Sequence, residues 1–414
     1  MCINGTSRGR IWLLMIGTML LIASPVGSAW GQTAINTVST DQQTTGSAPK
    51  PSPSPAASPN KIDADKKKPD DDASPDPGKA KRGSLLVVPI PIISPTFGSG
   101  LVLGLGYVFR LKTSDKISPL STVAGAAAFT SSGTRGGVIA AHLYFAENKY
   151  QTTVAFGKGR AIYDYYGIGV KPGQPSRSVS LRQGGTILFA EFMANLWKDI
   201  FIGPRYQYRK LTSSNNGIIT PGGFEVPPFD LESTSAALGF HLQRDRRDNA
   251  FYPTKGSVWN ITADFFAKPL GSRREYQVYK ASYNGYLSIG QKQVLAYRGS
   301  VCSVSERTPF FDLCMYGSSS DLRGYTMGQY QDRRMFAAQT EYRRELWWRL
   351  GFAAFAGFGG VAQHWNEFHF NELLPAAGVG LRFKLDKKDH INYRIDLGYG
   401  RSGHTLTMSV TEAF

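Results

Sequence analysis

The stretch INYRIDLGYG, Ile391 to Gly400, decides the fold. Its apolar residues Ile391, Tyr393, Ile395, Leu397 and Tyr399 alternate with Asn392, Arg394, Asp396, Gly398 and Gly400. A period of two marks an extended strand with one apolar and one polar face. The following segment repeats the pattern, setting Leu406, Met408, Val410 and Phe414 against Thr405, Thr407, Ser409 and Thr411. An earlier one sets Trp259, Ile261, Ala263 and Phe265 against Asn260, Thr262 and Asp264. Segments of about ten residues that alternate in this way between turn residues are the pattern of a transmembrane β-barrel, lipid outside and water or loops within. A soluble sandwich alternates as well. Aromatic residues near strand ends, suited to the two membrane interfaces, favour the membrane barrel. So do an export signal and a chain that ends on Phe414 at the close of an amphipathic strand.

The export signal is read from Met1 to Gly31. Arg8 and Arg10 form a basic start, Ile11 to Ala23 an apolar core, and Gly27-Ser28-Ala29 or Ala29-Trp30-Gly31 a cleavage site. At 13 residues the core is short of the roughly 20 that span a bilayer, which disfavours a retained anchor. No cysteine stands at the cleavage site, so a lipoprotein is not expected. The string Gly5-Thr6-Ser7-Arg8-Gly9, a hydrolase-elbow pattern, lies inside this discarded segment.

Gln32 to Arg82 is rich in Ser, Thr, Ala, Pro, Lys and Asp and poor in large apolar side chains. It cannot bury enough surface to offset its ordering entropy, so a disordered periplasmic linker is predicted over 32–82. Its charges nearly balance. The formal +16 of the chain therefore resides mostly in 83–414, where it suits contact with anionic lipid headgroups or phosphates. Of three cysteines, Cys2 leaves with the signal. Cys302 and Cys314 permit a disulfide in an exported chain, and two separate small hydrophobes fit as well. Six scattered histidines give no metal-ligand spacing, so neither metal nor cofactor is expected. Nucleic acid is not an expected partner.

The fold class is thus all-β: a transmembrane antiparallel β-barrel over 83–414, following the 1–31 signal and the 32–82 linker. Strands are read near 97 to 110, 120 to 130, 135 to 146, 149 to 158, 165 to 172, 180 to 196, 200 to 211, 234 to 245, 256 to 267, 274 to 288, 293 to 306, 334 to 347, 350 to 361, 375 to 386, 390 to 400 and 403 to 414. That makes sixteen, and the parity places both ends in the periplasm and the long connections 212–232, 308–333 and 362–374 outside. The weakest is the fifth. Leu85 to Pro91, apolar but with two prolines, reads as an edge or plug segment rather than a ladder strand.

The longest outer connection, 306–333, carries too much apolar surface for a solvated loop: Pro309-Phe310-Phe311, Cys314-Met315-Tyr316 and Leu322-Arg323-Gly324-Tyr325. Such a loop should fold back into the lumen, where Arg323 needs a carboxylate. Glu341, on the polar-facing set Gln339, Glu341 and Arg343, is the candidate partner.

Here the chain resembles the membrane domain of the BamA/TamA-type outer-membrane assembly barrels, the bacterial surface antigen family. In that family a sixth outer loop carrying an [V/L]-R-G-[F/Y] motif inserts into a sixteen-stranded barrel, and Leu322-Arg323-Gly324-Tyr325 matches it. Further matches, in order, are Ser94 to Gly98, Tyr166-Gly167-Ile168-Gly169, and a turn motif of Asp245, Arg246, Arg247, Asp248 and Asn249 with Phe251, Tyr252, Pro253, Thr254, Lys255 and Gly256. The terminal Phe414 resembles the end of the outer-membrane sorting signal. The family's strand-thirteen acid is replaced by Gly357, so Arg323 is expected to lean on Glu341 alone or to be held less firmly. Nothing between Gln32 and Arg82 is able to fold as a POTRA module.

The resemblance implies a bacterial outer-membrane location, the linker in the periplasm, insertion by the barrel assembly machinery, and contact with outer-membrane lipids and unfolded outer-membrane protein clients. The expected function is assembly, insertion or translocation through a lateral seam between first and last strands, with Gly98, Gly100, Gly104 and Gly106 weakening the first. The alternative is a passive pore or structural barrel that has kept the fold without the receiving domain. A hydrolase is disfavoured, because His142, His241 and His390 stand apart on or beside separate strands. The chain is therefore not expected to be an enzyme.

Overall fold

A computed structural model describes residues 83–115, 117–169, 178–215, 218–219, 225–226, 229–317, 321–386 and 390–414. The expected signal peptide and linker lie outside these residues. Sixteen antiparallel strands close into one barrel. They are β1 Gly83–Ser94, β2 Gly98–Phe109, β3 Ser121–Thr130, β4 Arg135–Phe145, β5 Tyr150–Tyr165, β6 Val179–Trp197, β7 Ile200–Asn215 and β8 Phe229–Asp245. The second half comprises β9 Gly256–Phe266, β10 Tyr276–Gly290, β11 Gln293–Val304, β12 Arg334–Glu345, β13 Leu350–Ala362, β14 Ala376–Asp386, β15 Ile391–Gly400 and β16 Gly403–Val410.

The side-chain polarity is inverted relative to a soluble domain. Leu101, Leu103, Leu105, Ile139, Phe156, Phe240, Trp259, Ile261 and Leu381 are exposed on the outer face. Glu191, Arg205, Arg209, His241, Asp264, Arg298, Glu341, Arg382, Arg394 and Asp396 are buried on the inner one. Period-two alternation makes this inversion possible: each strand turns every second residue to lipid and the others to a lumen where polar groups find partners.

The count of sixteen agrees with the sequence reading, but two of its members do not. Leu85–Pro91 belongs to β1, a full barrel strand in register with β2 from Gly83↔Phe109 to Ser94↔Gly98. Among the described residues of 165–172 there is no separate strand: β5 continues unbroken to Tyr165 and Tyr166 to Gly169 lie in a connection, while 170–172 fall outside the described residues. One missed strand and one surplus strand cancel, so the first four expected spans run in the opposite direction to that assigned. The turns at 110–120 and 146–149 accordingly sit at the same barrel end as the C-terminus, and Ser94 to Gly98 forms the β1–β2 turn. Gly98, Gly100, Gly104 and Gly106 lie on β2, paired on both edges, and do not form the seam.

The prolines of β1 are tolerated because of where the barrel closes. Residues two apart direct their N–H groups to the same edge of a strand, so Pro89 and Pro91 remove donors from one edge only. β1 meets β16 at the single pair Ile93↔Met408. Every other neighbouring pair is registered over eight to sixteen residues. Extending that register would set Pro91 opposite Val410 and Pro89 opposite Glu412. The last strand stops at Val410, not at the expected Phe414, because the chain turns inward at Thr411, where φ is +70°.

Candidate functional site

The 305–333 connection between β11 and β12 folds into the lumen as a small hairpin, with Cys314–Tyr316 paired to Tyr330–Asp332. A disulfide joins Cys314 to Cys302 on β11. Leu313, Tyr316, Leu322, Tyr325 and Tyr330 pack with the inward-facing Phe266, Tyr276, Val304, Met335, Val361 and Leu374. Each such side chain contributes about 1.5–3 kcal/mol on burial, enough to draw the loop inward. The tyrosine hydroxyls are satisfied there: Tyr316 donates to the Leu374 carbonyl and Tyr325 to that of Pro375, both at 2.6 Å.

Three arginine–carboxylate sites pin the loop to the wall. Arg209 on β7 grips Asp312 with both terminal nitrogens at 2.6 Å, and Tyr276 donates to the same carboxylate. Arg298 on β11 pairs with Asp321 at 3.0 Å and donates to Asn284 at 2.7 Å. In the third the arginine comes from the loop. Arg323 forms an ion pair with Glu341, a second with Asp396 at 2.9 Å, and donates to Gln339 Oε1 at 3.3 Å. Its guanidinium lies 3.6 Å from the centre of the Phe355 ring.

Gly324 lets the backbone approach β15 at this point. Its φ is +116°, and a Cβ there would stand 3.0 Å from the Tyr399 carbonyl and the Ala376 side chain. Arg323 is thus delivered by a residue for which any side chain would be strained and crowded.

Glu341 also pairs with Arg343 at 2.5 Å and Arg382 at 3.4 Å; Asp396 pairs with Arg382 at 2.6 Å and Arg394 at 2.7 Å. Glu412, in the inward-turned tail, joins Arg382 at 2.7 Å and accepts from Asn392 at 2.8 Å. Arg343 donates to the Phe414 carbonyl oxygen at 2.9 Å. Four guanidiniums and three carboxylates therefore share one desolvated cluster, in which each charge is matched by at least one partner of opposite sign. Only such mutual pairing makes the burial of so many charges tolerable.

The motif Leu322, Arg323, Gly324 and Tyr325 and the partner Glu341 meet in this cluster. Asp245, Arg247, Asp248, Asn249, Pro253 and Gly256 do not; they form the 246–255 turn and its flanks at the other end of the barrel. Phe414 is tucked inside against Tyr286 and Ala296 rather than ending a strand. Tyr166 to Gly169 touches the loop from above: the Gly169 N–H donates to the Gln331 carbonyl at 2.8 Å and Gln331 Nε2 to the Gly167 carbonyl at 3.1 Å.

Asp396, Gln339, Phe355, Arg382 and Glu412 were missed as partners of Arg323 and its cluster. Asp396 carried a signal, being an acid on the polar face of β15. The expectation that Arg323 has Glu341 alone is corrected: a second carboxylate arrives from β15. Gly357 has no room for an acid, because a Cβ there would lie 2.2 Å from the Ala338 carbonyl and 2.7 Å from Leu322. Among the described residues no group of His, Cys, Asp and Glu converges on a metal site.

Residues 206–386, from β7 to the end of β14, match the Omp85 superfamily domain. That match covers the wall from β7 to β14 and the 305–333 loop between β11 and β12. Among solved structures it is similar to BamA from Haemophilus ducreyi lacking POTRA domains 1-3, with a TM-score of 0.55 and 13% identity over 80% of this chain and 70% of that one. CdiB from Acinetobacter baumannii gives 0.50 and 11% over 79% of this chain, and CdiB from Escherichia coli 0.50 and 11% over 80%. This chain spans 59% and 63% of those two chains, and at such identities the likeness concerns the fold. Sequence comparison with curated proteins finds no match.

Proposed function

We propose that this barrel is of the Omp85 superfamily, resides in the bacterial outer membrane and assembles, inserts or translocates outer-membrane protein clients, using the β1–β16 seam as the point of entry. The observation that carries the reading is the single pair Ile93↔Met408 where other neighbours share eight or more. Unpaired backbone groups facing lipid are costly, so an incoming strand able to satisfy the lower edge of β1 is drawn to it. The bond exchange requires no covalent step and no cofactor. Arg323 with Glu341 and Asp396 holds the loop in the lumen, so that the barrel keeps its shape while one wall opens.

A passive pore is the competing reading, and a lumen occupied by the loop weighs against it. The test is the folding rate of a urea-denatured outer-membrane barrel into liposomes, with and without this protein and its Arg323→Ala variant. Acceleration by the wild type that the variant loses is the expected result. An unchanged rate with folded wild-type protein would overturn the assembly reading.

A further inference from the structure

We propose that Phe251 is the wedge that holds the seam shut, a positioning residue supplied from the opposite wall of the barrel. The 246–255 turn joins β8 to β9, and in a ring of sixteen these strands lie farthest from the β16–β1 junction. Nevertheless the Phe251 ring is buried in one apolar cluster with Ile90 of β1, Val102 of β2, Ile391 of β15 and Val410 of β16. Both seam strands, which share one backbone pair, thus contribute side chains to the apolar cluster that this ring belongs to. A buried aromatic contributes more than one net hydrogen bond, so the closure here belongs to side chains rather than to the ladder.

The turn is built to present that ring. Asn249 Oδ1 accepts the N–H groups of Phe251 at 2.8 Å and Tyr252 at 3.0 Å; Asp248 Oδ1 accepts those of Thr254 at 2.8 Å and Lys255 at 3.1 Å. Arg247, paired with Asp245 at 2.9 Å, donates to the Ala250 carbonyl at 3.2 Å. Gly256, at φ +97°, lies so close to the Arg246 carbonyl that a Cβ would come within 2.0 Å of it. The backbone of the reach is therefore fixed by its own side chains, and Tyr252 stacks on His390 beside it. The lumen faces of β2, β3 and β4 carry Val102, Ala126 and Val138 at this level, an apolar seat for the ring. The inference goes beyond the assembly reading, since it names what closes the seam whatever passes through it.

The experiment places cysteines at Ile93 and Met408 in the full chain, refolded into liposomes, and follows the rate of oxidative cross-linking. Cys2 is replaced by serine, and the native Cys302 and Cys314 are already joined, so no other thiol competes. In Phe251→Ala the strands should part more often, slowing cross-linking by about tenfold or more, as expected when a ring is lost from a packed cluster. Phe251→Leu should stay near the wild-type rate and Phe251→Val fall between, so the series remains informative even if alanine prevents folding. A control pair at Leu397 and Leu406, within the intact β15–β16 ladder, should not change. Equal rates across the series, or equal slowing of the control pair, would overturn the proposal. Neither outcome depends on whether the barrel folds clients.

Discussion

From one end of the barrel the 305–333 loop enters the lumen and is held by charges from β7, β11, β12 and β15; from the other the 246–255 turn enters and is held by its own carboxylate and amide side chains. The loop is long and partly apolar, and its arginine arrives without a local partner, so it depends on carboxylates brought by closure of the barrel. The turn is short, and Asp248 and Asn249 satisfy neighbouring N–H groups without help from the wall, as Asx residues do in solution peptides. The difference predicts that damage at the first site spreads and damage at the second stays local.

The largest effect should come from the acid that serves most arginines. Glu341→Ala leaves Arg323, Arg343 and Arg382 short of a partner and should cost ~3–5 kcal/mol in denaturant unfolding. Arg323→Ala should cost less, because Glu341 keeps two arginines and Asp396 keeps two. Equal costs would mean that the cluster is a set of separate pairs. Asp248→Ala, by contrast, should lower stability by only ~1–2 kcal/mol, the usual value of a lost cap, and leave the loop hairpin protected from hydrogen exchange. Exchange spreading into 305–333 in that variant would break the distinction.

The smallest effect concerns Asp115, another self-capped turn at the same end. Hydrogen bonds from the Ser118 hydroxyl and backbone N–H hold its carboxyl down at about 2. A depressed folded value means that its contribution is present above the ordinary carboxylate value of 3.8 and is lost as pH falls toward about 2. Comparing wild type with Asp115→Ala should therefore show a small difference in unfolding midpoint near neutrality that vanishes at strongly acid pH. A difference that persists there would assign the effect to something other than the carboxylate.

Local periodicity makes the lipid-facing and lumen-facing sets legible wherever a strand alternates cleanly, as in 391–400. It misled where a local rule had a long-range exception. Pro89 and Pro91 argue against a ladder strand, yet only one edge of β1 is deprived, and that edge faces the seam. Conversely, 165–172 has the composition of a strand, but β5 already runs to Tyr165, and Gly169 bridges Gln331 of the loop instead of joining the barrel ladder. Glu341 was accessible as the acid on the strand after the loop. Asp396 stood on a polar face of the same kind, but nothing in its neighbourhood couples it to a residue 73 positions earlier.

The sequence alone determined an alternating all-β chain with one loop whose arginine requires a buried carboxylate. Both follow from interactions within a strand or between a charge and its solvent, which act over a few residues. The tertiary structure alone decided where the ring closes, that β16 stops at Val410 while its tail turns inward, which second acid meets Arg323, and that Phe251 joins one apolar cluster with residues of both seam strands. Those outcomes depend on which of sixteen similar strands become neighbours across a closed circle, and a two-residue period carries no record of the circle's diameter or of what lies on its far side.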